Sequence, residues 1–87
     1  MKVLYFAAAR EAVGVTEEDI GMNEVGEAAN SVGKFREMLI KRHPELESVM
    51  KSCVFALNQE YILRDNEDTK SIKDGDVVAV IPPISGG

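Results

Sequence analysis

Five apolar residues in a row, Val77 to Ile81, stand between a turn signal at Asp74-Gly75 and the pair Pro82-Pro83. A run this short and this rich in valine predicts a strand, and its lack of alternation predicts burial on both faces, hence a central place in a sheet. Neither proline can donate to a ladder, so pairing stops there. A last strand that is also the central one obliges the rest of the chain to assemble around it.

The other segments supply what such a strand needs. KVLYFAAA reads as a strand, with Val3, Tyr5 and Ala7 on one face and Leu4, Phe6 and Ala8 on the other. REAVG reads as a turn and EEDIGM as a short polar edge strand; NEVGEAANS is a small, polar connector. SVGKFREMLIKRHPEL has the helical period: Val32, Phe35 and Leu39 share a face, Ser31 is a suitable N-cap, and Lys34, Arg36, Glu37 and Lys41 take the opposite side. Pro44 stops or restarts the helix, and ELESVMKS can add a further turn. CVFALNQEYIL reads as a hairpin about Asn58-Gln59, followed by a polar loop, RDNEDTK. The order is strand, strand, helix, strand, short strand, strand. One helix across a mixed sheet of about five strands is the economical way to bury these faces, with the first and last strands parallel at the centre and the helix in their crossover.

At 87 residues the chain is one domain's worth, and 45% apolar residues can build a small core. Its formal charge of −5 argues against nucleic acid, which is bound through clustered Lys and Arg, and fits basic protein partners. Cys53 is the sole cysteine, which rules out an internal disulfide and points to a reducing compartment. Within the apolar run CVFALN it reads as a core residue before a nucleophile or a metal ligand. No stretch has the make-up of a signal peptide or the length of a membrane span, so the expected location is the cytosol, away from membranes.

The segment after the last strand has chemistry of its own. Pro82-Pro83 stiffens the chain and directs it away from the sheet; Ile84 and Ser85 extend it; Gly86 and Gly87, without Cβ atoms, fit a narrow channel and leave the terminal carboxylate uncrowded. A carboxylate is a poor acyl donor until activated as an acyl phosphate or adenylate. The tail carries no base, metal or oxyanion hole, so the catalytic groups belong to a partner and this chain is the carried acyl group. The residues divide into a domain at 1–82 and a flexible tail at 83–87.

With KVLYFAAAREAVG at one end and KDGDVVAVIPPISGG at the other, and with RHPELESV and FALNQEY between them, the sequence resembles the small-subunit family of molybdopterin synthase. That resemblance implies an α+β, ubiquitin-like β-grasp fold and a sulfur carrier. It implies that an E1-like adenylyltransferase and sulfurtransferase uses ATP to place a transient AMP on Gly87, that sulfur then makes a thiocarboxylate, and that no cofactor is held permanently. It further implies insertion of Pro82, Pro83, Ile84, Ser85, Gly86 and Gly87 into the synthase large subunit, in a heterotetramer of two small and two large subunits. There the terminal sulfur converts cyclic pyranopterin monophosphate to molybdopterin. The same tip would serve thiamine synthesis, tRNA thiolation or a ubiquitin-like modifier joined to lysines, and an interaction domain with an inert tail is the plainest alternative.

Matching positions in the family form an apolar docking surface beside the tail, which the resemblance assigns to Phe6, Tyr61 and Ile81, with Arg10 facing an acidic partner group. Alternation agrees: if Val3, Tyr5, Val78 and Val80 face the helix, Phe6 and Ile81 point away from it, although the residue type alone would also suit Phe6 to the core. His43, ahead of Pro44, suits the capping of helix carbonyls better than catalysis, since no Ser, Cys or Asp constellation accompanies it. Asp65, Glu67 and Asp68 read as a solvated acidic loop, and no metal site is expected.

Overall fold

The computed structural model describes residues 1–83. Ile84, Ser85, Gly86 and Gly87, assigned above to tail insertion and acyl chemistry, lie outside the described residues.

The strands Lys2–Tyr5 (β1), Glu17–Asp19 (β2), Val54–Leu57 (β3), Glu60–Ile62 (β4) and Val77–Ile81 (β5) form one mixed sheet in the order β2-β1-β5-β3-β4. β5 is central. It runs parallel to β1, with Val3 opposite Val78 and Tyr5 opposite Val80, and antiparallel to β3, with Phe55 opposite Val80. The helices are Ala7–Val13 (α1), Met22–Val25 (α2), Val32–Arg42 (α3) and Glu47–Met50 (α4). The expected five-stranded α+β β-grasp is present, with α3 in the crossover from β1 to β5.

Local chemistry explains the boundaries. Ser31 caps α3, its Oγ accepting from the Lys34 amide at 3.0 Å. The β3–β4 hairpin turns through Asn58 (φ 51°) and Gln59 (φ 72°), left-handed at both central positions as a two-residue hairpin requires. Asn58 then bridges to the neighbouring loop: its Oδ1 accepts from the Val77 amide at 3.0 Å and its Nδ2 donates to Asp76 at 3.0 Å. With the Lys73 amide also donating to Asp76, these bonds hold the Asp76 carboxyl below its ordinary range.

Four readings of the sequence are corrected. The first strand ends at Tyr5, and AAAREAV is a helix rather than the end of a strand and a turn. Its alanines, Arg10 and Glu11 are good helix formers, and the strand-forming side chains end with Phe6. α1 stops at Gly14, whose φ of 91° is the left-handed cap that glycine provides. β5 is buried on one face only: Val78 and Val80 enter the core, while Val77, Ala79 and Ile81 are half-buried. A continuous apolar run marks a strand with two covered faces only when elements exist to cover both, and here α3 covers one.

The third and fourth corrections concern one interaction. Arg36 is not on a solvated face and Glu67 is not in a solvated loop, because they form a buried ion pair. Arg36 Nε donates to Glu67 Oε1 at 3.0 Å, and Nη2 donates to Oε2. Nη1 donates to the Met50 carbonyl (2.6 Å) and Nη2 also donates to the Cys53 carbonyl (3.1 Å), and the group lies 4.6 Å over the centre of the Phe55 ring. One side chain thus ties α3 to the end of α4, the start of β3 and the 3-10 turn at Arg64–Thr69. Replacing Glu67 with alanine leaves the guanidinium buried without its counter-charge, which costs about 3–5 kcal/mol in such sites. For Glu67→Ala we expect a loss of that size in urea unfolding, a large share of the stability of a domain this small.

Candidate functional site

Because the core occupies one side of the sheet, the other side is left open. Its residues follow from register. Leu4 of β1 lies opposite Ala79 of β5, Ala79 opposite Ala56 of β3, and Ala56 opposite Tyr61 of β4, so these four make one row across the sheet. Phe6 and Ile81 stand beside that row near the start of the tail. Together with Val77 and the hairpin tip they line an open groove of about 520 Å³. Its floor is low where two alanines meet, and its sides are aromatic and aliphatic.

Phe6, Tyr61 and Ile81 therefore come together on one surface, Phe6 and Ile81 as alternation anticipated and Tyr61 as the family resemblance implied. Phe6 is 45% exposed and not a core residue, and Tyr61 is 71% exposed. An apolar surface of this kind left in water is the usual mark of a protein or ligand contact. Arg10 does not line the groove; it is exposed on α1, one turn beyond Phe6, whose carbonyl accepts from its amide at 3.3 Å. Leu4, Ala56, Val77 and Ala79 are groove residues that the sequence reading did not pick out. For Val77 and Ala79 the signal was the alternate positions of β5, obscured by its unbroken apolar run; Leu4 and Ala56 follow from their register with Ala79.

The tail root is held firmly. Ile81 closes β5, the Phe6 amide donates to the Val80 carbonyl at 3.3 Å, and Pro82 is half-buried. Pro83 is exposed.

Other titratable groups do not form a reaction centre here. Cys53 is fully buried, and burial pushes its thiol up, away from the thiolate a nucleophile needs. His43 is the C-cap residue of α3, but its ring does not bind the helix carbonyls. Its Nε2 lies 2.9 Å from Glu18 Oε1, which also accepts from the Tyr5 hydroxyl at 2.8 Å. Arg42 donates to the second Glu18 oxygen at 3.0 Å and to Glu24 at 3.0 Å. Burial, and then the bond to Glu18, push the Tyr5 hydroxyl up, which keeps it a neutral donor. Burial also pushes Glu18 up, but the bonds from His43, Tyr5 and Arg42 outweigh it, and the carboxyl sits below its ordinary value of 4.5. The cluster fastens edge strand β2 to the end of α3, and none of its members lines the groove. Among the described residues no group of His, Cys, Asp and Glu is placed to hold a metal, and no helix is long and apolar enough to cross a membrane.

A carboxyl whose folded value is depressed stabilises the fold above its unfolded value and loses that contribution as pH falls through the folded one. Glu18→Gln should therefore lower the melting temperature at pH 7, and its deficit against the parent chain should narrow below about pH 4. Thermal melts of the two proteins across that range check this.

Comparison with known proteins places the geometry in context. The model of the ThiS family matches residues 3–87. Over 87 residues the chain is 51% identical to a Chlamydomonas reinhardtii protein named molybdopterin synthase sulfur carrier subunit, covering all of this chain and 98% of that one. It is 38% identical to a Homo sapiens protein of the same name, covering all of this chain and 93% of that one. Among solved structures it superposes, with a TM-score of 0.64 and 26% identity, on a Helicobacter pylori chain covering 99% of this chain and 96% of that one. That structure is described as a complex of subunits 1 and 2 of molybdopterin-converting factor.

Proposed function

The chain belongs to the ThiS family, and from that membership we propose that it is the sulfur carrier subunit of a molybdopterin synthase. Besides the relatives, one observation carries the reading: the central strand β5, paired on both sides, passes directly into Pro82-Pro83 and then Ile-Ser-Gly-Gly. A reactive tip is useful only if its base is fixed, and this base is fixed at the most constrained strand of the sheet.

The chemistry follows from the carboxylate of Gly87. An E1-like partner joins it to the AMP portion of ATP, releasing pyrophosphate; the acyl adenylate now has a good leaving group. Sulfur at the sulfide level, as hydrosulfide, then attacks the acyl carbon; the C–S bond forms as the C–O bond to AMP breaks, and AMP and a proton depart, leaving a thiocarboxylate. That group is ionised and soft, and an extended Gly-Gly tip can carry it into the pocket of the large subunit, where exclusion of water limits hydrolysis. There its sulfur attacks cyclic pyranopterin monophosphate, and water releases the carbonyl carbon as the original carboxylate. Two carriers supply the two sulfurs of the product, in keeping with two small and two large subunits.

Phe6, Tyr61 and Ile81 form the face that meets the large subunit, and Arg10 pairs with an acidic group on it. ATP belongs to the activating partner; this chain holds no cofactor of its own. The cytosol is the proposed location, a reducing compartment that suits the one free cysteine, Cys53.

Mass analysis of the C-terminal peptide from cells tests the reading. Sulfur in place of one oxygen at the Gly87 carboxyl is the expected result. A Gly87–lysine isopeptide as the main product would replace the carrier with a protein modifier. Deleting Gly87 should abolish sulfur transfer and leave the melting temperature unchanged, since the core side chains among the described residues all precede Pro82. Pterin thiolation by the deleted form would sink the proposal.

A further inference from the structure

A second recess, of about 460 Å³, opens beside the tail root and shares no residue with the open-face groove. Ala7 and Ala8 of α1, Val49 of α4 and the rings of Pro82 and Pro83 make most of its wall. Glu11 and Ser52 are its polar side chains.

The recess is a product of an uncommon backbone step. Ala7 has φ 48°, a left-handed conformation that disfavours every residue with a side chain. Through it the chain leaves β1 and enters α1 after a single residue, which sets the two methyl groups of Ala7 and Ala8 beside the prolines. Strain of this sort persists where the surroundings enforce it, and it gathers at functional positions.

Tail length decides what can fill the space. Gly87 lies four residues beyond Pro83. At full extension its carboxyl is at most about 14 Å from Pro83. Any protein that encloses the carboxyl must therefore bring its own surface up to Pro82-Pro83, and those prolines are one wall of the recess. Its walls are apolar and concave, made from small side chains. Glu11 is exposed and has no ion-pair partner among the described residues, which favours a basic group opposite it.

Resting on the carrier reading, we propose that this recess seats a bulky apolar side chain of the synthase large subunit, with a lysine or arginine of that subunit facing Glu11. The tail root is then gripped from two directions, by the open-face groove at Ile81 and by this recess at Pro82-Pro83. Of the two proteins proposed to take the tail, the large subunit is favoured because the Helicobacter pylori neighbour is described in a complex of subunits 1 and 2 of molybdopterin-converting factor.

Binding of the full chain to the large subunit from the same organism, by calorimetry, tests this. Ala8→Phe fills the recess from α1 and Ser52→Phe fills it from the other wall; both positions are exposed, and melting curves report on folding independently. Each should weaken binding by about tenfold or more while the fold is kept. Glu11→Gln should weaken it less, with an effect that disappears at high salt. Parent-like affinity in both filled variants would overturn the recess while the carrier reading stood. Failure of the parent chain itself to bind would instead defeat the carrier reading, and the recess with it. Slowed adenylation with unchanged large-subunit binding would put the activating enzyme in the recess, and self-association abolished by Ala8→Phe would put a second copy there; either overturns the assignment.

Discussion

The parallel pairing of β1 with β5 is the constraint from which the rest of the molecule follows. Parallel neighbours cannot be joined by a tight turn, so everything between Tyr5 and Val77 has to be accommodated in the connection. That connection contains α3, whose apolar face has only one sheet surface to cover. It also delivers β3 to the other side of β5, which closes the centre of the sheet. The first and last strands become neighbours, and the exit of the chain is anchored between two partners.

A single covering layer then divides the sheet residues into two classes. Val3, Tyr5, Phe55, Ile62, Val78 and Val80 meet Phe35 and Leu39 in the core. Their alternates, Leu4, Ala56, Tyr61, Ala79 and Ile81, have no element of the fold above them. The uncovered side is the unavoidable complement of a two-layer domain, and what is particular to this chain is how it is furnished. An ordinary solvent face would carry polar side chains at those alternates. Here they are aliphatic, aromatic or alanine, and the apolar surface runs toward the tail root.

Local patterns were legible in the sequence, and long-range pairings were not. The helix at Ser31, the hairpin at Asn58-Gln59 and the Gly75 turn follow from signals within a few residues of one another; β5 is central as expected, but without the two-faced burial from which that place was read. Phe6 and Ile81 were also placed on one face, since alternation projects from a strand of known orientation, and the family resemblance added Tyr61 to them. Arg36 and Glu67 went unrecognised because charged residues on a helix and in a polar loop look solvated until the fold brings them together, 31 positions apart. His43 met Glu18 and Tyr5 for the same reason, across 25 residues in one case. The α1 helix was missed where Ala-rich sequence follows a strong strand without a polar break. The recess at Pro82-Pro83 had no local signal at all: it depends on a left-handed Ala7 and on α4, which arrives 40 residues later.

Threading an extended tail into another protein, as the carrier role proposed above requires, has a thermodynamic consequence. Each residue fixed loses about 1–2 kcal/mol of backbone freedom, and glycine loses the most. Four residues beyond Pro83 keep that loss to several kcal/mol, and a longer tail would raise it with each residue added. Pro82 and Pro83 contribute almost nothing to it, because their φ angles are set before binding. The remaining loss has to be offset by contact outside the channel, and the apolar surface must lie close to the exit for one partner to cover both. The open groove ends at Ile81 and the recess begins at Pro82, so the surfaces that can repay the ordering of the tail flank the point where it emerges. On the carrier reading, a short tail, a proline root and two concave apolar walls around it are therefore parts of one solution: the first two limit the ordering cost of insertion, and the walls place the contacts that offset it beside the root.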